Sequence, residues 1–141
     1  MKLDRRWFVI TPLIAVLLLP ACREVASEES GVNEPYTLEP VKGTEFTRVI
    51  LTADGAERIG LETAVVEAVG GAKTVPESGV WIDVNGDEWV YTSPEPLVFV
   101  RAAISIDRYE RDRAVLSDGP AIGTTVVSVG VAELIGSEFG I

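Results

Sequence analysis

The hydrophobic positions of the chain fall into three regions with different patterns. Residues 7–19 are almost continuously apolar, residues 23–44 show no apolar period, and from Phe46 onward short apolar runs alternate with turn residues. Short runs bounded by glycine, proline, asparagine or aspartate at intervals of about ten residues are typical of strands in an all-β fold. The pattern therefore predicts a leader, a flexible segment and one mostly β domain.

The predicted β domain covers residues 46–141 and holds six or seven short strands. The runs that favour strands are Phe46–Leu51, Leu61–Val69, Val80–Val84, Glu88–Thr92, Leu97–Ile106, Ala114–Leu116 and Thr125–Val129. Asp54 to Glu57 has capping-box spacing and predicts a short helical turn through Ile59, and Val131–Ile135 favours a closing turn of helix. Strands this short with frequent turns indicate a small antiparallel barrel or sandwich with little helix.

The strongest local signal in this domain is Asn85-Gly86, which lies between two β-rich runs. A two-residue hairpin turn of this composition requires positive φ at both positions, which asparagine and glycine tolerate. In that register Asp83 faces Glu88, a like-charge pair that would attract a cation only weakly. A calcium loop over Asp83–Glu88 is the alternative, but the glycine stands at the wrong position for one.

Residues 1–21 are predicted to be a lipoprotein signal peptide. Lys2, Arg5 and Arg6 give a positive start, and the apolar run that follows is shorter than the ~20 residues that a membrane-spanning helix needs. Leu19-Pro20-Ala21-Cys22 then has the form of a bacterial lipobox, in which the cysteine thiol accepts a diacylglycerol. The alternative is an ordinary secretory peptide with an incidental cysteine, but an exported chain with one thiol has no internal disulfide partner. We therefore expect Cys22 to be lipidated and the domain to be anchored to the cell-envelope membrane outside the cytoplasm.

Residues 22–45 are predicted to be an acidic flexible tether, with a peptide ligand for a partner as the alternative. Without residues 1–21 the chain keeps 9 basic and 21 acidic residues, a net charge of −12. Anionic lipid headgroups repel such a chain, so the acyl chains on Cys22 must supply its attachment to the bilayer.

Composition excludes several classes of chemistry. The chain has no histidine, one cysteine and one methionine, and its acidic charge excludes a protein that tracks nucleic-acid phosphates. Nucleophilic catalysis by serine or cysteine needs a nearby base, and the chain has no histidine to supply one. The candidate carboxylate pairs lie at predicted hairpin tips, where solvation leaves a carboxylate without the altered acidity that acid–base catalysis needs. We expect no catalytic residues, no metal and no cofactor.

Candidate contacts to a partner protein form a basic cluster and an apolar tail. The candidates are Arg101, Arg108, Arg111 and Arg113, with Leu134 and Phe139 near the C-terminus. The arginines alternate with acidic residues, so a solvated surface is the alternative interpretation. Trp81, Trp89 and Tyr91 on neighbouring strands are either core residues or a platform on which a sugar stacks.

Five segments of the domain carry a resemblance to a known family. They are Leu51–Ala64, Val75–Val80, Asp87–Tyr91, Pro94–Arg101 and Thr125–Gly140. Together they resemble the C-terminal part of periplasmic adaptors, also called membrane fusion proteins, of resistance–nodulation–division efflux pumps, with the heavy-metal branch most similar. The resemblance covers about two thirds of the chain and rests on structural segments rather than on a catalytic motif.

The resemblance implies an SH3-like membrane-proximal module that packs against an inner-membrane transporter. A full adaptor inserts a lipoyl-like domain, a helical hairpin and a β-barrel between the first of these segments and the others, whereas here Val69–Lys73 joins them directly. We therefore expect a reduced or accessory adaptor subunit, a non-catalytic lipoprotein that contacts the transporter or a full-length adaptor. The alternative is a free-standing lipoprotein that binds cell-wall glycan through Trp81 and Trp89.

Overall fold

A computed structural model describes residues 34–141 of the chain. Its strands are β1 (Tyr36–Pro40), β2 (Thr47–Leu51), β3 (Glu62–Val65), β4 (Glu67–Val69), β5 (Ala72–Pro76), β6 (Trp81–Ile82), β7 (Glu88–Glu95), β8 (Val98–Glu110), β9 (Arg113–Asp118) and β10 (Thr125–Val129). Its α-helices are α1 (Ala53–Arg58) and α2 (Val131–Phe139), and Glu77–Gly79 forms one turn of 3₁₀ helix. The predicted signal peptide, Cys22 and the first part of the predicted tether lie outside the described residues.

The strands form one antiparallel sheet that curls into a half-barrel. Its main order is β3-β10-β7-β8-β9-β5-β4, and the two end strands, β3 and β4, are separated in the chain by Val66 alone. The Val66 N–H donates to the carbonyl of Thr124 over 2.9 Å, and the Gly123 N–H donates to the carbonyl of Val66 over 2.8 Å. Strands hold 52% of the described residues and helices 17%, so the predicted mostly β, barrel-like fold is confirmed.

Two hydrophobic cores lie on opposite faces of this sheet. The inner core is made of Val66, Val75, Val90, Ile104, Ala114, Leu116 and Val126. The outer core is made of Val49, Leu51, Tyr91, Phe99, Val127, Val131 and Leu134. Successive residues of a strand point to opposite faces, so β7 and β10 contribute one residue to each core in turn. This explains why Trp89–Tyr91 of β7 and Val126–Val127 of β10 are consecutive apolar residues in the sequence.

The predicted β6–β7 hairpin is present, but its turn differs from the prediction. The Gly86 N–H donates to the carbonyl of Asp83, and the Asp83 N–H donates to the carbonyl of Asp87. Only Gly86 of the two central residues has positive φ, at +88°, and Ile82 rather than Asp83 pairs with Glu88. This is a three-residue loop closed by a glycine bulge, so the predicted two-residue turn and the Asp83–Glu88 pair were wrong.

The carboxylate of Asp83 explains the change of turn. Asp83 Oδ1 accepts hydrogen bonds from the backbone N–H groups of Asn85 and Asp87, and Oδ2 accepts one from the Trp89 indole. Desolvation acts to raise the pKa of Asp83, but these donors outweigh it and lower the pKa below its usual value. A carboxylate with a lowered folded-state pKa stabilises the fold above its unfolded pKa, so the turn loses this support as pH falls through the folded pKa.

Helix α1 forms where the sequence predicts it, but with a different cap. The predicted capping residue was Asp54, whereas Thr52 Oγ1 accepts the hydrogen bond from the Gly55 N–H over 3.0 Å and donates one to the carbonyl of Pro35 over 3.2 Å. A Cβ on Gly55 would lie 2.4 Å from that same carbonyl oxygen. The segment before β1 therefore packs closely against the start of α1, and the two hydrogen bonds of the Thr52 hydroxyl connect them.

The folded domain includes Tyr36–Pro40, ten residues before the predicted boundary at Phe46. Tyr36–Pro40, which the sequence assigns to the tether, pairs in full register with Thr47–Leu51. An edge strand tolerates proline and charged residues, and β2 supplies a complete hydrogen-bonding partner. The boundary is therefore corrected to include β1, and the predicted C-terminal turn of helix likewise extends to Phe139.

Candidate functional site

Arg101 and Glu138 form a charged pair below the surface of the outer core. Arg101 Nε lies 3.1 Å from Glu138 Oε1, and the two side chains are 15% and 3% exposed. The Nε–H is not aligned with that oxygen, so the contact is an ion pair and Nε is left without a hydrogen-bond acceptor. Tyr91 completes the group because its hydroxyl donates to Glu138 Oε2 over 2.6 Å.

Three aromatic rings surround the guanidinium of Arg101. Its Cζ lies 5.0 Å from the ring centroid of Phe46, 4.9 Å from that of Trp89 and 5.2 Å from that of Phe139. Such cation–π contacts stabilise a partly desolvated cation by about 1 kcal/mol each. Arg101 therefore joins the segment before β2, strand β7 and helix α2.

Burial and charge together fix the protonation state of Tyr91. Burial is the main cause of its raised pKa, followed by the hydrogen bond to Glu138 and the charge of that carboxylate, while Arg101 opposes the rise. Tyr91 therefore remains a proton donor to Glu138 throughout the physiological range. Its partner is 47 residues away in the chain, so sequence reasoning missed Glu138, and no local signal could have found it.

Two of the predicted contact residues have little surface to offer a partner. Leu134 is fully buried in the outer core, and Arg101 is held by Glu138 and the aromatic rings. Arg101 also lies seven residues along β8 from Arg108, which is about 23 Å of extended strand. The structure therefore does not bring the four arginines into one patch.

The other three arginines lie around the β8–β9 hairpin. Arg108 is exposed and pairs with Glu110 at 2.7 Å and Asp107 at 2.6 Å, and these two contacts, that with Glu110 first, raise the pKa of Arg108 above its usual value. The Arg113 guanidinium pairs with Glu67 at 2.9 Å, and its Nε–H donates to Thr74 Oγ1 over 3.0 Å.

Arg111 occupies the tip of this hairpin with φ of +57°, a conformation that favours glycine. The tip borders a cleft of about 440 Å³ between the β4–β5 and β8–β9 hairpins. The cleft is lined by Val69, Thr74, Glu110, Arg111, Asp112, Arg113 and Val115. Arg111 has an exposed side chain, so it is the predicted arginine best placed to contact another molecule.

The aromatic residues form a connected layer over the outer core. Trp81 stacks on Tyr91 with an interplanar angle of 8°, and it meets Phe139 edge to face at 5.7 Å. Trp89 has Arg101 over its ring and meets Phe46 edge to face, with 5.7 Å between the ring centroids. Phe139 is 47% exposed and is the most accessible member of this layer.

Residues 34–141 hold no cluster of three or more metal-ligating side chains. Within the same range no helix has the length and apolar character that crossing a membrane requires. Cys22, the predicted lipidation site, precedes the described residues and stays a prediction.

Comparison of the chain with known proteins finds no matching family model and no matching curated protein. The resemblance to efflux adaptors therefore stays a prediction from the sequence.

Proposed function

We propose that this chain is a non-catalytic, exported lipoprotein that acts as a reduced or accessory adaptor subunit of an efflux system. Acyl chains on Cys22 hold it to the membrane, and its β domain contacts an inner-membrane transporter or a full-length adaptor. The observation that carries the proposal is the way in which the segments similar to adaptors pack against one another.

The first and last of those segments are direct neighbours in the fold. Strand β10 pairs with β3, with Val126 opposite Ala64 and Val127 opposite Thr63. Leu51 at the end of β2 shares the outer core with Leu134 of α2. A module assembled from the two ends of a longer protein requires this arrangement, because its halves must close on each other regardless of what lies between them.

The junction between the two halves supports the same proposal. Gly70 and Gly71, with φ of +59° and +84°, form a two-residue turn between Val69 and Ala72 at the tip of the β4–β5 hairpin. This is the position at which a full adaptor carries its additional domains. A tight turn at an exposed tip is a place where a chain accepts or loses an insertion without disturbing the strands.

The surface of the domain offers a contact region suited to protein partners. Arg111 is the first of the two residues between Glu110 and Arg113, which pair with each other, and its φ of +57° is the conformation that a tight hairpin turn requires there, so its side chain projects from an exposed tip. Arg108 is already paired with Asp107 and Glu110, whereas Arg111 takes part in none of the ion pairs found among residues 34–141, so its exposed guanidinium is the charge at this hairpin best placed to pair with an acidic group of a partner.

The glycan-binding alternative has less support. A sugar stacks on the open face of an aromatic ring, whereas Arg101 covers one face of Trp89 and Tyr91 stacks on Trp81. These contacts use the two tryptophans to hold β6, β7 and α2 together.

Co-purification from detergent-solubilised membranes tests the proposed function. We expect the tagged full-length chain to retain an inner-membrane transporter or a full-length adaptor, identified by mass spectrometry. Arg108→Gln with Arg111→Gln should weaken this retention, while Arg58→Gln, at the exposed end of α1, serves as the control. Retention of cell-wall glycan with neither protein would contradict the proposal.

A further inference from the structure

Strand β1 pairs with β2 along one edge, and its other edge pairs with no strand of residues 34–141. The Val41 N–H donates to the carbonyl of Phe46, and the Thr52 N–H donates to the carbonyl of Pro35. In an antiparallel pair the bonded positions alternate, so Thr37 and Glu39 lie between these two and face β2. The N–H and C=O groups of the residues between them, Tyr36 and Leu38, therefore point away from the sheet.

Proline removes a hydrogen-bond donor at only one end of this edge. Pro40 stands at the next outward-facing position, where its missing N–H breaks no bond to β2. Natural proteins usually protect exposed edges with charge, bulges or proline, because an open edge is a template for another strand. Leu38, at the centre of β1, is instead an apolar side chain that is 44% exposed.

A shallow concave surface continues from this edge onto helix α2. It is lined by Tyr36, Ala132, Glu133, Gly136, Ser137 and Ile141. The small residues Ala132 and Gly136 leave room for the side chains of an added strand, and Glu133 supplies a negative charge. A strand paired with β1 would project every second side chain onto this surface.

Charge decides what kind of strand fits. Residues 34–141 contain 8 basic and 18 acidic residues, and Glu34, Glu39 and Glu133 are exposed around the open edge. A second copy of this acidic domain and an anionic lipid surface are both repelled. A positively charged segment is attracted, and pairing through backbone groups requires it to be extended.

We propose that the outer edge of β1 binds an extended, basic segment of a partner protein by strand addition. This inference rests on the proposed docking function and names a surface for it, separate from the arginines of the β8–β9 hairpin. The backbone of Tyr36 and Leu38 supplies the hydrogen bonds, and Glu133 selects lysine or arginine in the bound segment.

The test uses the full-length protein in detergent and a short, end-capped peptide of alternating lysine and valine. We expect the peptide to bind and to slow amide exchange at Tyr36 and Leu38. Leu38→Pro removes one outward donor without touching the bonds to β2, so affinity should fall by about tenfold. Leu38→Lys, which repels the peptide, should weaken binding at least as much, and thermal melting checks that both variants fold.

Ile122→Lys is the matched control, because Ile122 is 57% exposed and lies in the loop before β10. Four results would each overturn the inference: no binding to the wild-type protein, equal binding of a glutamate–valine peptide, unchanged binding by both Leu38 variants, or slow exchange of the two amides in the protein without peptide. The last would mean that the chain covers its own edge. Because the peptide test contains no membrane partner, its failure leaves the co-purification result standing, and the reverse also holds.

Discussion

Arg101 lies where the segment before β2, strand β7 and helix α2 meet, and no other described arginine is held by so many elements. Its cation is surrounded by three rings and faces a carboxylate that is 3% exposed. Removing water from both charges is unfavourable, and the pair persists because each partner neutralises the other. At the residue scale this contact joins α2 to the sheet, beside the apolar packing of Val131 and Leu134.

We expect Arg101→Gln to destabilise the domain by about 3 kcal/mol, because it leaves Glu138 buried without a counter-charge. The double variant Arg101→Met with Glu138→Leu should be less destabilised than Arg101→Gln alone, since no unpaired charge remains. Urea unfolding followed by tryptophan fluorescence measures both.

Arg108→Gln is the control for these two variants, because the ion pairs of Arg108 are more than half exposed and should contribute little to the free energy of unfolding. A loss of stability in Arg101→Gln no larger than that in Arg108→Gln would show that the buried pair is not stabilising α2.

The corrected β6–β7 turn makes a second prediction at this scale. Gly86→Val should cost roughly 1 kcal/mol or more, because valine strongly disfavours a φ of +88°. Asn85→Ala should cost much less, because Asn85 has ordinary φ and its own N–H still reaches Asp83. Thermal melting of the two variants decides the turn type, since a two-residue turn with positive φ at both positions would make the losses comparable.

The β6–β7 hairpin also shows what a sequence pattern predicts about a turn and what it does not. Asn85-Gly86 locates the turn because both turn types use glycine at that place. The turn type depends on the side chain of Asp83, which captures two backbone N–H groups and a tryptophan indole. Such competition between a side chain and the backbone is settled by three-dimensional geometry, which a pattern of apolar and polar positions does not contain.

At the element scale, the sequence predicted β7, β8 and β10 and missed β1 and β5, although Thr74 and Val75 of β5 are both buried. β7, β8 and β10 were predicted because each of them contributes apolar residues to both cores. β1 was not predicted, because its sequence Tyr-Thr-Leu-Glu-Pro is acidic, contains proline and is mostly exposed. Its pairing with β2 decides its structure, and that pairing is a property of the partner strand.

Candidate site residues divide in the same way. The sequence identified Arg101 and Phe139 as notable, and the structure gives both of them neighbours that no local spacing shows. Leu134 was a candidate contact, but the apolar face of α2 turns it into the outer core. Glu138, the partner of Arg101, was missed because its role depends on how α2 packs across β7 and β8.

The β4–β5 hairpin should accept inserted residues at its tip. A glycine–serine linker between Gly70 and Gly71 lengthens an existing loop, and loop closure adds only about 1 kcal/mol of cost for a few added residues. The same linker between Ala102 and Ala103 would interrupt the pairing of β8 with β7, and we expect it to prevent folding. Circular dichroism and urea titration of the two proteins measure the difference: the Gly70-Gly71 insertion should keep a cooperative transition and the Ala102–Ala103 insertion should lack one, and equal disruption would argue against Gly70-Gly71 as a site of domain insertion.

At the scale of the whole molecule, the acidic charge separates attachment from binding. With residues 1–21 removed the net charge is −12, so an anionic bilayer surface repels the domain. Under the proposed function, lipid on Cys22 supplies the attachment to the membrane, and local features such as Arg111 and the edge of β1 supply the specificity. That proposal holds the domain near a membrane whose anionic surface its own charge would avoid.

Cys22→Ser should release the protein from the membrane fraction and abolish incorporation of labelled palmitate. Two or three acyl chains hold a protein firmly because each buried methylene contributes about 0.8 kcal/mol. Ser30→Ala, in the same acidic segment, is the control and should leave both measurements unchanged. Unaltered fractionation and labelling of Cys22→Ser would contradict lipid attachment at this residue.

Size-exclusion chromatography of gently solubilised membranes, with mass spectrometry of each fraction, tests the central claim most directly. The proposed function predicts that the wild-type chain elutes in a large complex, at a fixed ratio to an inner-membrane transporter or a full-length adaptor. Elution of the chain by itself, in a detergent micelle and without either protein, would contradict the claim that it is an adaptor subunit.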